Sequence, residues 1–253
     1  MTAIIETRGL GKQYRDRWAL IDCTLSIPAG RVVGLVGPNG AGKTTLLHLA
    51  TGLLTPTTGT IEVVGSQPAA SAAQLARVGF VAQDTPTYAA FSVADHLRLG
   101  AHLNPGWDAR LAADRITKLG LDPAAKAGRL SCGQRAQLAL TLAIAKWPEL
   151  LILDEPVASL DPLARRDFLQ HLTGAVAEHH MSVVLSSHLV SDLERACDYL
   201  VVLTAGQLRL AGEVSELLAA YRQHAGQHAG LEDLVLAYIS QPTDHQHATE
   251  GTR

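Results

Sequence analysis

Residues 37–45 read Gly-Pro-Asn-Gly-Ala-Gly-Lys-Thr-Thr and follow at once on the apolar run Val32–Val36. They match G-x-x-x-x-G-K-[ST] in the context that gives the pattern meaning, behind a buried strand and at the start of a predicted helix over 44–53. Gly37, Gly40 and Gly42, with Pro38, Asn39 and Ala41 between them, let the backbone wrap closely around phosphates and turn its N–H groups and a positive helix end toward them. Lys43 supplies a point charge for the outer phosphates, and the hydroxyl of Thr44, followed by Thr45, is a ligand for Mg²⁺. The alternative is a glycine-rich turn before an ordinary helix. The strand before the motif and the helical pattern after it disfavour that reading.

The remaining pattern alternates short strands with longer helices. Strands are predicted at 60–64 and Val78–Val81, and the continuous apolar runs Leu150–Leu153 and 182–185 read as parallel strands buried on both faces. Between those two runs, residues 162–178 form a helix with Asp161 as N-cap and Pro162 at its first position. A strand–helix–strand unit implies an α/β core with a parallel sheet. Residues 92–147 differ: they hold predicted helices at 93–102, 109–119 and 134–146, with a break at Asn104-Pro105-Gly106, and read as a helical subdomain inserted into that core. Trp107, beside the break, reads as a packing anchor rather than a substrate contact. A hairpin is expected where runs at 199–203 and 207–210 flank Ala205-Gly206. After Ala220 the chain turns polar, and Leu231–Ile239 is the one segment there expected to be an ordered helix.

Composition removes several classes of function. With 253 residues, 47% of them hydrophobic, the chain can bury a substantial core. Its net charge of −3 argues against a polybasic surface, and 4% aromatic residues argue against a base-stacking platform, so no nucleic-acid partner is expected. Neither a bilayer-spanning run nor a secretory leader is expected. The three cysteines, Cys23, Cys132 and Cys197, are odd in number and far apart, which implies reduced thiols rather than a disulfide framework. His224, His228, His245 and His247 have a metal-like look, but without supporting carboxylates metal binding is not expected.

The run Leu150–Leu153 ends in Asp154-Glu155-Pro156. An apolar parallel strand ending in Asp154 sets a carboxylate at the sheet edge where open α/β sheets bind ligands, suited to hold Mg²⁺, commonly through water. Glu155 is then placed to polarise an attacking water as general base.

Between these two motifs stands Leu130-Ser131-Cys132-Gly133-Gln134, and with it the chain resembles the ATP-binding subunits of ABC transporters. Further motifs follow in family order. Tyr14 stands where the adenine-stacking aromatic does, and Gln83 matches the glutamine that links Mg²⁺ and water to the membrane partner. Ser159-Leu160-Asp161 matches the turn that crosses the dimer interface, and His188 the histidine that senses the γ-phosphate. The resemblance runs from Ile4 to about Ala220. It implies a P-loop NTPase with a RecA-like parallel core, an antiparallel β-subdomain and an inserted helical subdomain at about 86–147. Residues 1–220 would form this ATPase unit and 221–253 a polar tail. Cys132 departs from the glycine usual in the signature. A side chain tolerated there is the preferred reading, and an oxidisable thiol at a helix N-terminus the other.

In this family Ser131, Cys132, Gly133 and Gln134 of one subunit complete the site of the other, so the resemblance implies a head-to-tail dimer around two ATPs with Mg²⁺. A homodimer would hold two competent sites; a heterodimer with a similar subunit stays open. The resemblance further implies a separate integral membrane permease, docked against residues 83–97 including Tyr88 and Phe91, and a peripheral place on the cytoplasmic face of the membrane. The stretch from Gln83 to Ser131 is too short for the coiled-coil insert of chromosome-maintenance relatives. Too little chain follows His188 for the long regulatory domain of many importers. The leading expectation is an ATP-hydrolysing subunit of a bacterial exporter for drugs, peptides or lipids. The alternatives are a soluble ATPase of iron–sulfur cluster assembly and a permease-free regulatory ABC protein.

Overall fold

The computed structural model describes residues 2–194 and 196–240. Two strands open the chain, β1 (Ala3–Tyr14) and β2 (Arg17–Pro28), and with β4 (Thr58–Val63) they make an antiparallel sheet in the order β2-β1-β4. Neither long strand is evident from sequence periodicity. Their pairing shifts register between Thr7 and Leu10, between Leu10 and Lys12, and again between Lys12 and Gln13, and each irregularity breaks the two-residue alternation.

The main sheet holds β3 (Val32–Val36), β5 (Val78–Val81), β6 (Leu150–Leu153), β7 (Ser182–Ser187), β8 (Tyr199–Thr204) and β9 (Gln207–Glu213), in the order β5-β6-β7-β3-β8-β9. The first five are mutually parallel, and β9 returns antiparallel on the edge through a tight turn with Ala205 and Gly206 at positive φ. Strands β6 and β7 are buried along their whole length, in keeping with the apolar runs Leu150–Leu153 and Val183–Leu185. Strand order is what positions the site. Because β7 lies between β3 and β6, the residues that end all three strands emerge side by side at one edge.

Helix α1 (Lys43–Ala50) follows β3 and ends three residues before the predicted stop, and a short α2 (Ala72–Arg77), capped by Ser71, precedes β5. Between β5 and β6 the described chain has helices and turns but no strand: α3 (Val93–Leu103), α4 (Ala109–Lys118) and α5 (Cys132–Ile144). These helices share their own small core of Val93, Ile116, Leu121, Ala127, Leu130 and Leu138. Each starts on a side-chain cap, Ser92, Asp108 and Ser131, and those of α3 and α5 are full capping boxes. Trp107 lies flat on α3, so close that a Cβ on Gly100 would fall 2.4 Å from its ring, which is the anchor role expected of it.

Helix α6 (Pro162–His179) begins on Asp161 and Pro162 as predicted. The chain after β9 is more ordered than its polarity implies. Helix α7 (Val214–Ala225) runs through the boundary expected at 220, and α8 (Leu231–Ile239) buries Leu231, Leu234 and Val235 in the main core. His224 lies on α7, and His245 and His247 fall outside the described residues. All three cysteines are free. Burial pushes the thiol of Cys23 up to about 11 and that of Cys197 up to about 12, so both stay protonated and inert, while Cys132 is exposed.

The main sheet is covered on both faces, by α5, α6 and α8 on one side and by α1 and the antiparallel sheet on the other. Phe168 of α6 is fully buried in the first of these layers. Phe168→Ala is expected to lower unfolding free energy by about 3–5 kcal/mol in urea titration; a loss under about 1 kcal/mol would show that this layer repacks around the cavity.

Candidate active site

Two of the phosphate-loop glycines are required by backbone geometry. Gly42, which precedes α1, has φ of 101°, and a Cβ there would lie 2.5 Å from the carbonyl oxygen of Ala19 in β2. A Cβ on Gly37 would lie 2.1 Å from the carbonyl oxygen of Leu203 at the end of β8. The loop is thus pressed between the two sheets, and only glycines allow so close an approach.

Lys43 is buried, and its Nζ donates to the carbonyl oxygens of Gly37 at 2.7 Å and Pro38 at 3.3 Å. The same Nζ stands 3.3 Å from Oε1 of Glu155. Oε2 of Glu155 in turn lies 2.9 Å from Nδ1 of His188. The loop lysine, the expected general base and the expected switch histidine therefore form one chain of contacts across the ends of β3, β6 and β7. Glu155 has φ of 44°, a strained value for a side-chain-bearing residue, and this turn aims its carboxylate away from the sheet.

Ser186 was not singled out by sequence reasoning. Fully buried on β7, its hydroxyl donates to Oδ1 of Asp154 at 2.7 Å and accepts from the backbone N–H of Glu155 at 2.8 Å. One side chain thereby fixes both the orientation of the buried Asp154 carboxylate and the strained turn at Glu155. The available signal was a polar Ser-Ser pair ending an otherwise apolar run, a weak pointer until the strand order is known.

An open cleft of about 520 Å³ collects the predicted residues. Tyr14, Gln83 and Glu155 line it together with the loop from Asn39 through Gly40, Ala41, Gly42, Lys43, Thr44 and Thr45. Tyr14 is half-exposed, and Nζ of Lys12 lies 5.5 Å from its ring centroid. Arg17, also unforeseen, reaches the cleft from the first position of β2; its Nη2 would be 3.8 Å from a Cβ on Gly40. Thr44 lines the cleft, whereas Asp154 is buried and does not; a hydroxyl and a carboxylate are nonetheless the hard oxygen donors that suit Mg²⁺. Among the described residues no group of three His, Cys, Asp or Glu is arranged to hold a metal by itself.

The signature lies elsewhere on the chain. Ser131, Cys132, Gly133 and Gln134 form the start of α5, where Ser131 and Gln134 exchange hydrogen bonds of 3.1 and 2.9 Å, and none of them lines the cleft. Ser131, Cys132 and Gln134 are exposed; Nη2 of Arg135 is 3.4 Å from the Cys132 sulfur. Asp161 caps α6 by accepting from the N–H groups of Leu163 and Ala164, each at 3.0 Å. A Cβ on Gly133 would lie 3.1 Å from that of Ala164, so signature and Asp161 turn are neighbours. Beyond His188, Asp192 is buried, and burial pushes its carboxyl up while the charges of Arg165 and His188 pull it back.

Comparison with known proteins gives the same reading. Residues 20–158 match the ABC transporter family. The Nod factor export ATP-binding protein I of Cupriavidus metallidurans is 36% identical over 86% of this chain and 74% of that protein. The bacitracin transport ATP-binding protein BcrA of Bacillus licheniformis is 30% identical over 82% of this chain and 69% of that protein. A solved structure of an ATP-binding subunit of an ABC transporter superposes with a TM-score of 0.81 at 26% identity, covering 93% of this chain and 99% of that one. A phosphate loop, a carboxylate strand and a signature helix set on this sheet, with these relatives, place the chain in the ABC transporter family as an ATP-binding, ATP-hydrolysing subunit.

Proposed function

We propose that this subunit drives export of a substrate through a separate integral membrane permease, from the cytoplasmic face of the membrane, as a head-to-tail dimer sandwiching two ATPs. The observation that carries the dimer is the division of the site. The phosphate loop, Gln83 and Glu155 share one cleft, while Ser131, Cys132 and Gly133 open α5 outside it. A solvent-exposed helix N-terminus capped by a serine is an anion site in need of a phosphate, which a second copy would supply. Relatives named for bacitracin transport and Nod factor export support the export direction. Tyr88 and Phe91, exposed and in ring contact between Gln83 and α3, would receive the permease. The catalytic machinery lies within residues 1–220, with the helical subdomain at about 86–147 inserted, and α8 of the tail packs onto its core; the two subunits are either identical or similar.

In this reading Tyr14 stacks on adenine, and the loop N–H groups of Gly40 to Thr45 hold the phosphates. ATP must divide the Lys43–Glu155 contact: the γ-phosphate takes the lysine, and the carboxylate is released toward water. Thr44, Asp154 and Gln83 would hold Mg²⁺, which neutralises charge on the β- and γ-phosphates. Water oxygen attacks the γ-phosphorus, the bond to the ADP oxygen breaks, and Glu155 accepts the water proton. His188 orients Glu155 through the contact at 2.9 Å. Loss of the γ-phosphate removes the bridge between subunits and reopens the dimer.

Glu155→Gln is expected to bind ATP, to lose about 10²–10⁴-fold in kcat, and to accumulate as dimer on size-exclusion chromatography. Ordinary turnover by that variant would remove Glu155 from the base role. Ser186→Ala, which frees both Asp154 and the Glu155 turn, is expected to cost about tenfold in kcat or in the Mg²⁺ concentration for half-activity; unchanged values would mean that the serine only fills space. The export reading is tested by purifying the tagged chain from detergent-solubilised host membranes and identifying what accompanies it. A stoichiometric multi-span membrane protein supports it, and soluble partners alone would overturn it.

A further inference from the structure

A partly buried arginine, Arg165, and a buried aspartate, Asp192, close to the switch histidine are imperfectly matched. Asp192 ends the short 3₁₀ turn Val190–Asp192, four residues beyond His188, and is only 8% exposed. Arg165 stands one turn into α6, four residues beyond Asp161. The nearest approach of the pair is 3.7 Å, from Nη1 of Arg165 to Oδ1 of Asp192. That is outside hydrogen-bond range. Nε of Arg165 and Oδ2 of Asp192 are both buried without a hydrogen-bond partner.

Guanidinium and carboxylate groups ordinarily meet through two parallel N–H···O bonds. Here one donor and one acceptor are left over on the same two side chains. A buried polar atom without a partner is costly, and a second arrangement of these two side chains would satisfy both atoms. The room for that arrangement exists: a surface cleft of about 470 Å³, lined by Arg165, Gln170, Thr173, Asp192 and Glu194 among others, opens beside the pair. The two residues also sit at the ends of two short levers. A movement of about 1 Å that brings them to hydrogen-bond distance draws the first turn of α6, headed by Asp161, toward the segment headed by His188.

We propose that Arg165 and Asp192 are positioning residues for hydrolysis, a latch that is part-open in the single subunit and closes to a full fork when a second subunit docks at Asp161, thereby holding the switch segment so that the existing His188–Glu155 contact of 2.9 Å persists through turnover. The inference rests on the roles given above to Asp161, His188 and Glu155. It explains how docking at the dimer interface reaches a histidine on another loop, through one ion pair between α6 and the turn after β7.

A buried ion pair can be replaced by apolar groups of similar size with stability kept or raised, whereas removing one partner alone is destabilising. This separates a latch from a clip that merely holds the fold. For the purified full chain, Asp192→Asn is expected to lower kcat about tenfold with KM for ATP within about twofold of wild type. The double variant Arg165→Met/Asp192→Leu is expected to melt at or above the wild-type temperature and yet to keep the low kcat. Should Asp192→Asn alone fail to fold, the double variant decides. Recovery of kcat together with Tm in the double variant would overturn the latch and leave a structural clip. A wild-type chain no faster than Glu155→Gln would instead defeat the hydrolysis roles on which the latch rests, and the latch with them.

Discussion

Strand β7 pairs in parallel with β3 on one side and β6 on the other, and the chemistry of this protein depends on that placement. Val36 of β3 stands opposite Ser187, and Leu153 of β6 opposite Leu185, so the three strands end nearly level. The phosphate loop, the Asp154-Glu155 turn and His188 are therefore neighbours although they lie far apart in the chain. Exchanging β7 with β3 would leave every motif intact and separate the histidine from the glutamate. Parallel strands buried on both faces tolerate such an arrangement only with apolar sequence, which is why the polar residues are confined to the strand ends.

At that edge, charge is held in a balanced and movable form. Lys43 is buried, a position an ammonium group keeps only when paired, and it is matched by two loop carbonyls and Glu155. Glu155 is shared between Lys43 and His188, so the residue proposed as base is already oriented, while its lysine partner is one that a phosphate would recruit. Ser186 holds the turn from below. It replaces the two hydrogen bonds that a buried carboxylate oxygen and a strained N–H would otherwise seek from water.

The signature helix is shared between two cores: Leu138 joins the small core of the helical subdomain, while Ala136, Leu140, Ala143 and Ile144 pack in the main core, and its first turn meets α6. That contact places Gly133 beside Ala164, in the turn that Asp161 caps and from which Arg165 projects. Signature, Asp161 turn and switch segment thus form a continuous path along one helix, from the surface a partner would cover to the histidine behind it.

Much of this was legible in the linear chain, because its signals are short-range. A phosphate loop is nine consecutive residues; the cap at Asp161 acts on N–H groups two and three residues away; buried parallel strands announce themselves as unbroken apolar runs. Signals of this kind depend on the local backbone alone, and they identified the α/β core, the helical insertion and nearly every residue of the cleft. The tertiary structure decided what depends on distant partners. Strands β1 and β2 were hidden because bulges erase their alternation, and α7 because its packing surface is spread thinly over a polar sequence. Ser186, Arg17 and the Arg165–Asp192 pair carry no local mark, since a serine ending a strand or an arginine on a helix acquires meaning only from what the strand order and helix packing set against it.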